Sequence, residues 1–182
     1  MKTIRLIERE DLEARYKAIS NHDINKWLVL SNVSRIRTQK WLESVVIDDS
    51  RRDYVGLLDD QIFAFSGLTH INQLNKTAEI YIFLASPKYF SKGLGSWLLK
   101  ETVNIGFKEL GITKFFAKVV KENEQSNKYF LKNDFKQEGV LKKESWINGE
   151  YHDIVLLAKI FKERIWNIGV YKEICPYVWD FR

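Results

Sequence analysis

At Ser86 the chain changes period. Over residues 78–86, "AEIYIFLAS", Glu79, Tyr81, Phe83 and Ala85 fall on one face of a strand, and Ile80, Ile82 and Leu84 on the other. From 93 to 110 the apolar residues Leu94, Trp97, Leu98 and Ile105 recur instead at helical spacing. Between them lies "PKYFSKGLG", with glycines at 93 and 95. A strand that passes through a glycine loop into a long helix commits the chain to a sheet covered by that helix.

The rest of the chain follows suit. Residues 3–6 read as a strand, 8–20 as a helix with an acidic start, and 38–47 as a second helix. "RDYVGLLDD" and "QIFAFSGLTHI" are two strands joined tightly at Asp59-Asp60. "TKFFAKVV" is a strand, "NEQSNKYFLKN" a helix, and residues 135–146 and 150–160 a hairpin. Asn148-Gly149 suits the hairpin's type I′ turn, which needs positive φ at both central residues. The order β-α-α-β-β-β-α-β-α-β-β predicts an α/β or α+β fold with a mixed sheet of about seven strands.

A length of 182 residues with 45% apolar side chains is enough for one domain with a sizeable core. We expect that domain to span 1–160. The last residues, 161–182, add Trp166, Tyr171, Tyr177, Trp179 and Phe181, and exposed apolar groups in such number predict packing on the domain or at a homodimer contact. The formal charge is +5, but the lysines are scattered, so no nucleic acid is expected as a partner. The lone Cys175 excludes an intrachain disulfide. No apolar run approaches the roughly 18 residues of a membrane span, and no secretory h-region opens the chain. The expected setting is cytoplasmic, without a membrane partner. His22, His70 and His152 lack ligand-like spacing, so no metal is expected.

Three places carry candidate chemistry. In the loop Phe90-Ser91-Lys92-Gly93-Leu94-Gly95, the first N–H groups of the following helix point outward without partners. That start suits a phosphate, with Lys92 beside it, although an ordinary strand–helix turn would look the same. Glu79 is a carboxylate in an otherwise apolar strand. It fits either a general base, direct or through a water, or a strand-edge carboxylate paired with a Lys or Arg. Asn123 reads as an N-cap, placing Ser126 in the first turn of its helix on the face of Tyr129, Phe130 and Asn133. A hydroxyl there suits a proton donor or simply a helix start.

Taken together, "AEIYIFLASPKYFSKGLG", "NEQSNKYFLKNDF" and "EGVLKKESWINGEYHDIVLLAKI" resemble the GNAT superfamily of N-acetyltransferases, most of all its RimJ/RimL type, which includes spermidine acetyltransferases. The likeness runs from "IRLIEREDLE" to about Ile160 and is strongest over 78–156. It implies a mostly antiparallel GNAT sheet with helices on both faces, and acetyl-CoA as co-substrate. It also implies that the pantetheine arm lies along Phe83, Leu84 and Ala85, with the carbonyl oxygen near the Phe83 backbone. The pyrophosphate would sit on Phe90–Gly95, and Asn123, Ser126, Tyr129 and Phe130 would line the other side. By the same likeness Glu79 is the general base and Ser126 the general acid.

Three positions depart from the family pattern. Phe90 stands where Gln or Arg is usual, Asp134 replaces the glycine of a Gly-Phe pair, and Phe130 occupies the place of a thiol-protonating Tyr. By resemblance, the acceptor site is built from residues 21–38 and the last hairpin, with Trp27, Arg35, Glu79 and Trp146 as candidates. They suit a small polar amine: an amino sugar, a nucleotide-linked amino sugar or a polyamine. A protein N-terminus is the second reading, and a catalytically weak acyl-CoA-binding module the third.

Overall fold

A computed structural model of the chain describes residues 1–28, 33–45 and 47–161. Seven strands form one sheet: β1 (Lys2–Leu6), β2 (Arg52–Leu58), β3 (Gln61–Asn72), β4 (Thr77–Leu84), β5 (Lys114–Val120), β6 (Lys136–Ile147) and β7 (Glu150–Ile160). Their spatial order is β1-β2-β3-β4-β5-β7-β6. Every neighbouring pair is antiparallel except β4 and β5, which are parallel. The exception follows from connectivity: β4 reaches β5 through helix α4 (Leu94–Glu109), and a helical crossover returns the chain in the same direction.

The other helices are α1 (Leu12–Ser20), α2 (His22–Asn25), α3 (Arg35–Val45) and α5 (Glu124–Lys132). Two boundaries differ from the sequence reading. The first helix opens with a 3-10 turn over Arg9–Asp11, and α3 starts three residues earlier than expected. The short α2 was not legible as a helix of its own; Asn21 caps it by accepting from the Asp23 N–H. The hairpin turn carries the expected backbone, with φ of 50° and 88° at Asn148 and Gly149, and the tight join at Asp59 and Asp60 proves to be of the same kind, with φ of 48° and 62°. Asp134, where the family pattern has glycine, holds φ at 67°, which explains the usual residue there.

The helices cover both faces of the sheet. On one, Val55, Phe65 and Phe83 pack with Ala18, Ile19, Ile24, Leu42 and Val45 from α1–α3. On the other, Leu68, Ile80, Phe115 and Val119 pack with Leu99 and Val103 of α4 and Phe130 of α5. Helix α4 sits so close that a Cβ on Gly106 would lie 2.6 Å from the Phe115 ring. Phe161, the last described residue, stacks on Phe107 at 4.7 Å. The aromatic tail expected to pack beyond it lies outside the described residues.

Candidate active site

The pairing of β4 with β5 stops at Glu79↔Phe116, although both strands continue. The sheet therefore opens into a V between Ile80–Leu84 and Ala117–Val120. The Ala85 N–H donates to the Phe63 carbonyl at 2.8 Å, so by strand alternation the Phe83 backbone also turns toward β3. The outward N–H and C=O groups next to it, those of Ile82 and Leu84, face the gap. An extended ligand laid there would meet backbone partners as an added strand does.

A cleft of about 650 Å³ occupies this gap. Glu79, Phe83, Leu84, Phe90, Ser91, Gly93, Gly95, Asn123, Ser126, Tyr129, Phe130 and Trp27, all singled out from sequence, line it. Five others do not. Ala85 is engaged by β3, and the Leu94 side chain is buried against Phe63 and Leu98. Lys92 is exposed just outside the lining. Arg35 pairs with Glu13 on the surface, and Trp146 packs edge-on against Tyr151 at 4.6 Å, near the hairpin turn.

At the mouth of the V, Ser91 and Gly93 both have positive φ, 58° and 71°, and together they fold the loop back onto the start of α4. Gly93 is the N-cap, and no side chain caps the helix. The first N–H groups of a 16-residue helix are thus left for a ligand. Gly95 has only ordinary contacts where a Cβ would be, 3.5 Å from the Tyr129 hydroxyl, so packing within the chain does not demand glycine there. Phe90 packs with the cluster that holds Phe83 while also lining the cleft, which gives the departure from Gln or Arg a structural role.

The opposite wall is the start of α5. The Asn123 side chain accepts from the Ser126 N–H at 3.1 Å, confirming the cap. The Asn127 amide donates to the carbonyls of Val120, Lys121 and Asn123 and so pins the helix to the end of β5. Sequence reasoning missed this anchor, whose only signal is a second Asn four residues after the cap. Phe130 is buried in the core against Phe135. The Tyr129 hydroxyl is buried without a hydrogen-bond partner, beside the Ser96 hydroxyl but outside bonding geometry. Burial pushes its ionisation well above the usual phenol range, so it keeps its proton and can offer a hydrogen bond.

Glu79 sits at the apex. Its carboxylate is 22% exposed and meets His70 Nδ1 at 3.2 Å. The partner is a histidine, not the lysine or arginine that the ion-pair alternative expects. His70 reaches it from an irregular stretch of β3, between Thr69 and Asn72, where its own φ is 50°. Behind Tyr81 of the cleft lining lies a polar layer that no motif announced. The Arg51 guanidinium donates twice to buried Asp53, at 2.7 and 2.9 Å, and Asp53 also accepts from the Tyr81 hydroxyl. Burial raises Tyr81 far above its ordinary ionisation range. Among the described residues no cluster of His, Cys, Asp or Glu could hold a metal, and no helix is long and apolar enough to cross a membrane.

An open cleft between parallel strands, with an uncapped helix start at one end and a carboxylate at the other, is the architecture of an acyl-CoA-dependent transferase. The chain belongs to the GNAT acetyltransferases: the model of the acetyltransferase (GNAT) domain matches residues 4–156. It is accordingly an N-acetyltransferase of the EC 2.3.1 class that uses acetyl-CoA. It is similar to spermidine N(1)-acetyltransferase of Escherichia coli K12, 29% identical over 156 residues, which are 85% of this chain and 83% of that one. It also resembles the ribosomal-protein-serine acetyltransferase of the same organism, 31% identical over 102 residues and covering 56% of each. The crystal structure of spermidine N-acetyltransferase from Vibrio cholerae in complex with CoA and spermine superposes with a TM-score of 0.81, at 24% identity, over 87% of this chain and 95% of that one.

Proposed function

We propose that the protein transfers acetyl from acetyl-CoA to a small primary amine by direct attack on the thioester. The observation that carries this reading is the common cleft lined by Glu79, Ser126 and the uncapped start of α4. The amine nitrogen attacks the carbonyl carbon, and its proton passes to Glu79, directly or through a water. The carbonyl oxygen and the pantetheine amides meet the outward backbone groups of Ile82 and Leu84. The C–S bond breaks, and Ser126 hands a proton to the departing sulfur near the positive end of α5, regaining one from water as Glu79 sheds the proton it took. The products are the N-acetyl amine and CoA thiol.

The acceptor in this reading is an amino sugar, a nucleotide-linked amino sugar or a polyamine. A protein N-terminus is the second reading, favoured by the likeness to the ribosomal-protein-serine acetyltransferase. The single acetyltransferase domain is read as 1–160. Release of free thiol from acetyl-CoA, followed across polyamines, amino sugars, nucleotide-linked amino sugars and short peptides, tests the assignment. Acceleration by one class names the acceptor. Tight CoA binding with no release by any class would make the chain a binding module.

A further inference from the structure

Strand alternation gives the cleft two sides. Ile82 and Leu84 face α4, whose uncapped start takes the cofactor in the proposed reaction. Glu79, Tyr81 and Phe83 alternate onto the opposite face, where Tyr81 and Phe83 pack with the cluster of α1–α3. That second side is left for the acceptor. Charge does not select what enters there. Lys26 and Lys118 line it against Asp23 and Glu79, with Lys118 paired to Glu144 at 3.5 Å and Glu79 to His70 at 3.2 Å. A polyamine, with several ammonium groups, is matched by an excess of carboxylates, and the described lining residues supply none.

Shape remains, and Tyr81 carries it. Its ring lies across Gly67, the residue opposite it on β3, where a Cβ would come within 2.5 Å of Tyr81 Cε1. Its hydroxyl donates to Asp53, a fully buried carboxylate that Arg51 grips at 2.7 and 2.9 Å. The Phe83 ring runs beside it, with centroids 6.1 Å apart and planes 18° from parallel. Both rings line the cleft, as does Trp27 just beyond α2. The proposed base, acid and backbone contacts make no use of the Tyr81 ring, yet its position is fixed from Gly67, Asp53 and Phe83. An aromatic surface held in this way loses little freedom when a ligand settles on it.

Resting on the proposed amine acetylation, we infer that Tyr81 is a specificity-determining residue of the acceptor side, its fixed ring taking the flat apolar face of a ring-borne primary amine. That face is the C–H side of a pyranose or the face of an aromatic ring; both bury apolar area against a tyrosine. An open-chain polyamine presents no such face and finds no surplus of carboxylates in exchange.

The test is calorimetric titration of the CoA-saturated protein with glucosamine, tyramine and spermidine. Glucosamine or tyramine should bind at least about tenfold more tightly than spermidine, and which of them does so distinguishes a pyranose from an aromatic body. Tyr81→Leu should lose most of that preference with CoA affinity unchanged, whereas Tyr81→Phe, which keeps the ring, should retain it. The wild-type ranking stands as a test by itself if Tyr81→Leu does not fold. Spermidine binding as tightly as both ring-borne amines, no binding by any of the three, a preference unchanged in Tyr81→Leu, or an equal loss in Tyr81→Phe would overturn the inference. A ring-borne amine that binds preferentially yet releases no thiol from acetyl-CoA would support the inference and count instead against the catalytic reading. Thiol release with spermidine alone would do the reverse.

Discussion

His70 Nδ1 stands 3.2 Å from Glu79 Oε2, at the point where β4 and β5 part. The carboxylate is mostly covered while the imidazole is three-quarters exposed, so the pair links the apex of the cleft to bulk water. In the proposed reaction Glu79 takes a proton each turnover and must also lose it, and the exposed imidazole in contact is the route we propose.

Glu79→Gln should lower kcat/KM by about 10²–10⁴-fold, the usual range for a removed general base, with CoA affinity unchanged. His70→Ala should lower it less and change the shape of the pH–rate profile. Thiol-release kinetics from pH 5 to 9 separate the two. Wild-type turnover by Glu79→Gln would remove the base assignment.

The two hydroxyls on the α5 wall should behave differently. Ser126→Ala should reduce kcat but leave stability nearly unchanged, because the cap uses the Ser126 N–H and the Asn123 side chain. Tyr129→Phe deletes a buried hydroxyl that has no partner. It should stabilise the free protein by up to about 1–3 kcal/mol while weakening any complex in which that hydroxyl binds a ligand. Urea unfolding with and without CoA measures both effects.

The two loop glycines test backbone conformation against ligand approach. Gly93→Ala places a Cβ at φ 71° and should cost about 1–2 kcal/mol of stability. Gly95→Ala has room and sits in a helix, so it should be neutral or stabilising by up to about 1 kcal/mol, yet weaken CoA binding. Lys92→Ala should weaken CoA binding modestly and flatten its salt dependence. Thermal melts with CoA titrations at two ionic strengths check all three.

The hairpin carries a pH signature. The Lys142 ammonium at 2.9 Å and then the Lys143 N–H hold the Asp153 carboxyl down at about 2, below its usual range. A depressed carboxyl contributes stability above its unfolded pKa of about 3.9, and loses that contribution as pH falls through the folded value. Asp153→Asn should therefore be less stable than wild type at pH 7, with the gap closing between about pH 4 and pH 2. Denaturant midpoints of both proteins across that range give the result.

Periodicity and turn chemistry made the sequence of elements along the chain, the long helix, the tight join at Asp59-Asp60 and the type I′ turn at Asn148-Gly149 legible, because those signals are local. Asn123 as a cap and the glycine loop before α4 were readable for the same reason. The family pattern then placed Glu79 and Ser126 in one site, although 47 positions separate them in the chain. His70 escaped notice because its role depends on an irregular stretch of β3 turning one side chain toward β4. Arg35 and Trp146 were expected in the acceptor site, yet one faces Glu13 and the other Tyr151, contacts that spacing does not encode.

The sequence by itself determined the seven strands, the helices α1, α3, α4 and α5, their order along the chain and the family, since each rests on residues a few positions apart. The tertiary structure alone decided where β4 leaves β5, which backbone groups face the resulting gap and which cations gather around it. Those facts depend on register between strands and on helices α2 and α5 arriving from distant parts of the chain. Arg15 is the clearest case: on its helix it reads as an ordinary surface charge, and only the tertiary structure buries it against Trp41 and beside Phe83, with its Nη1 left without a hydrogen-bond partner.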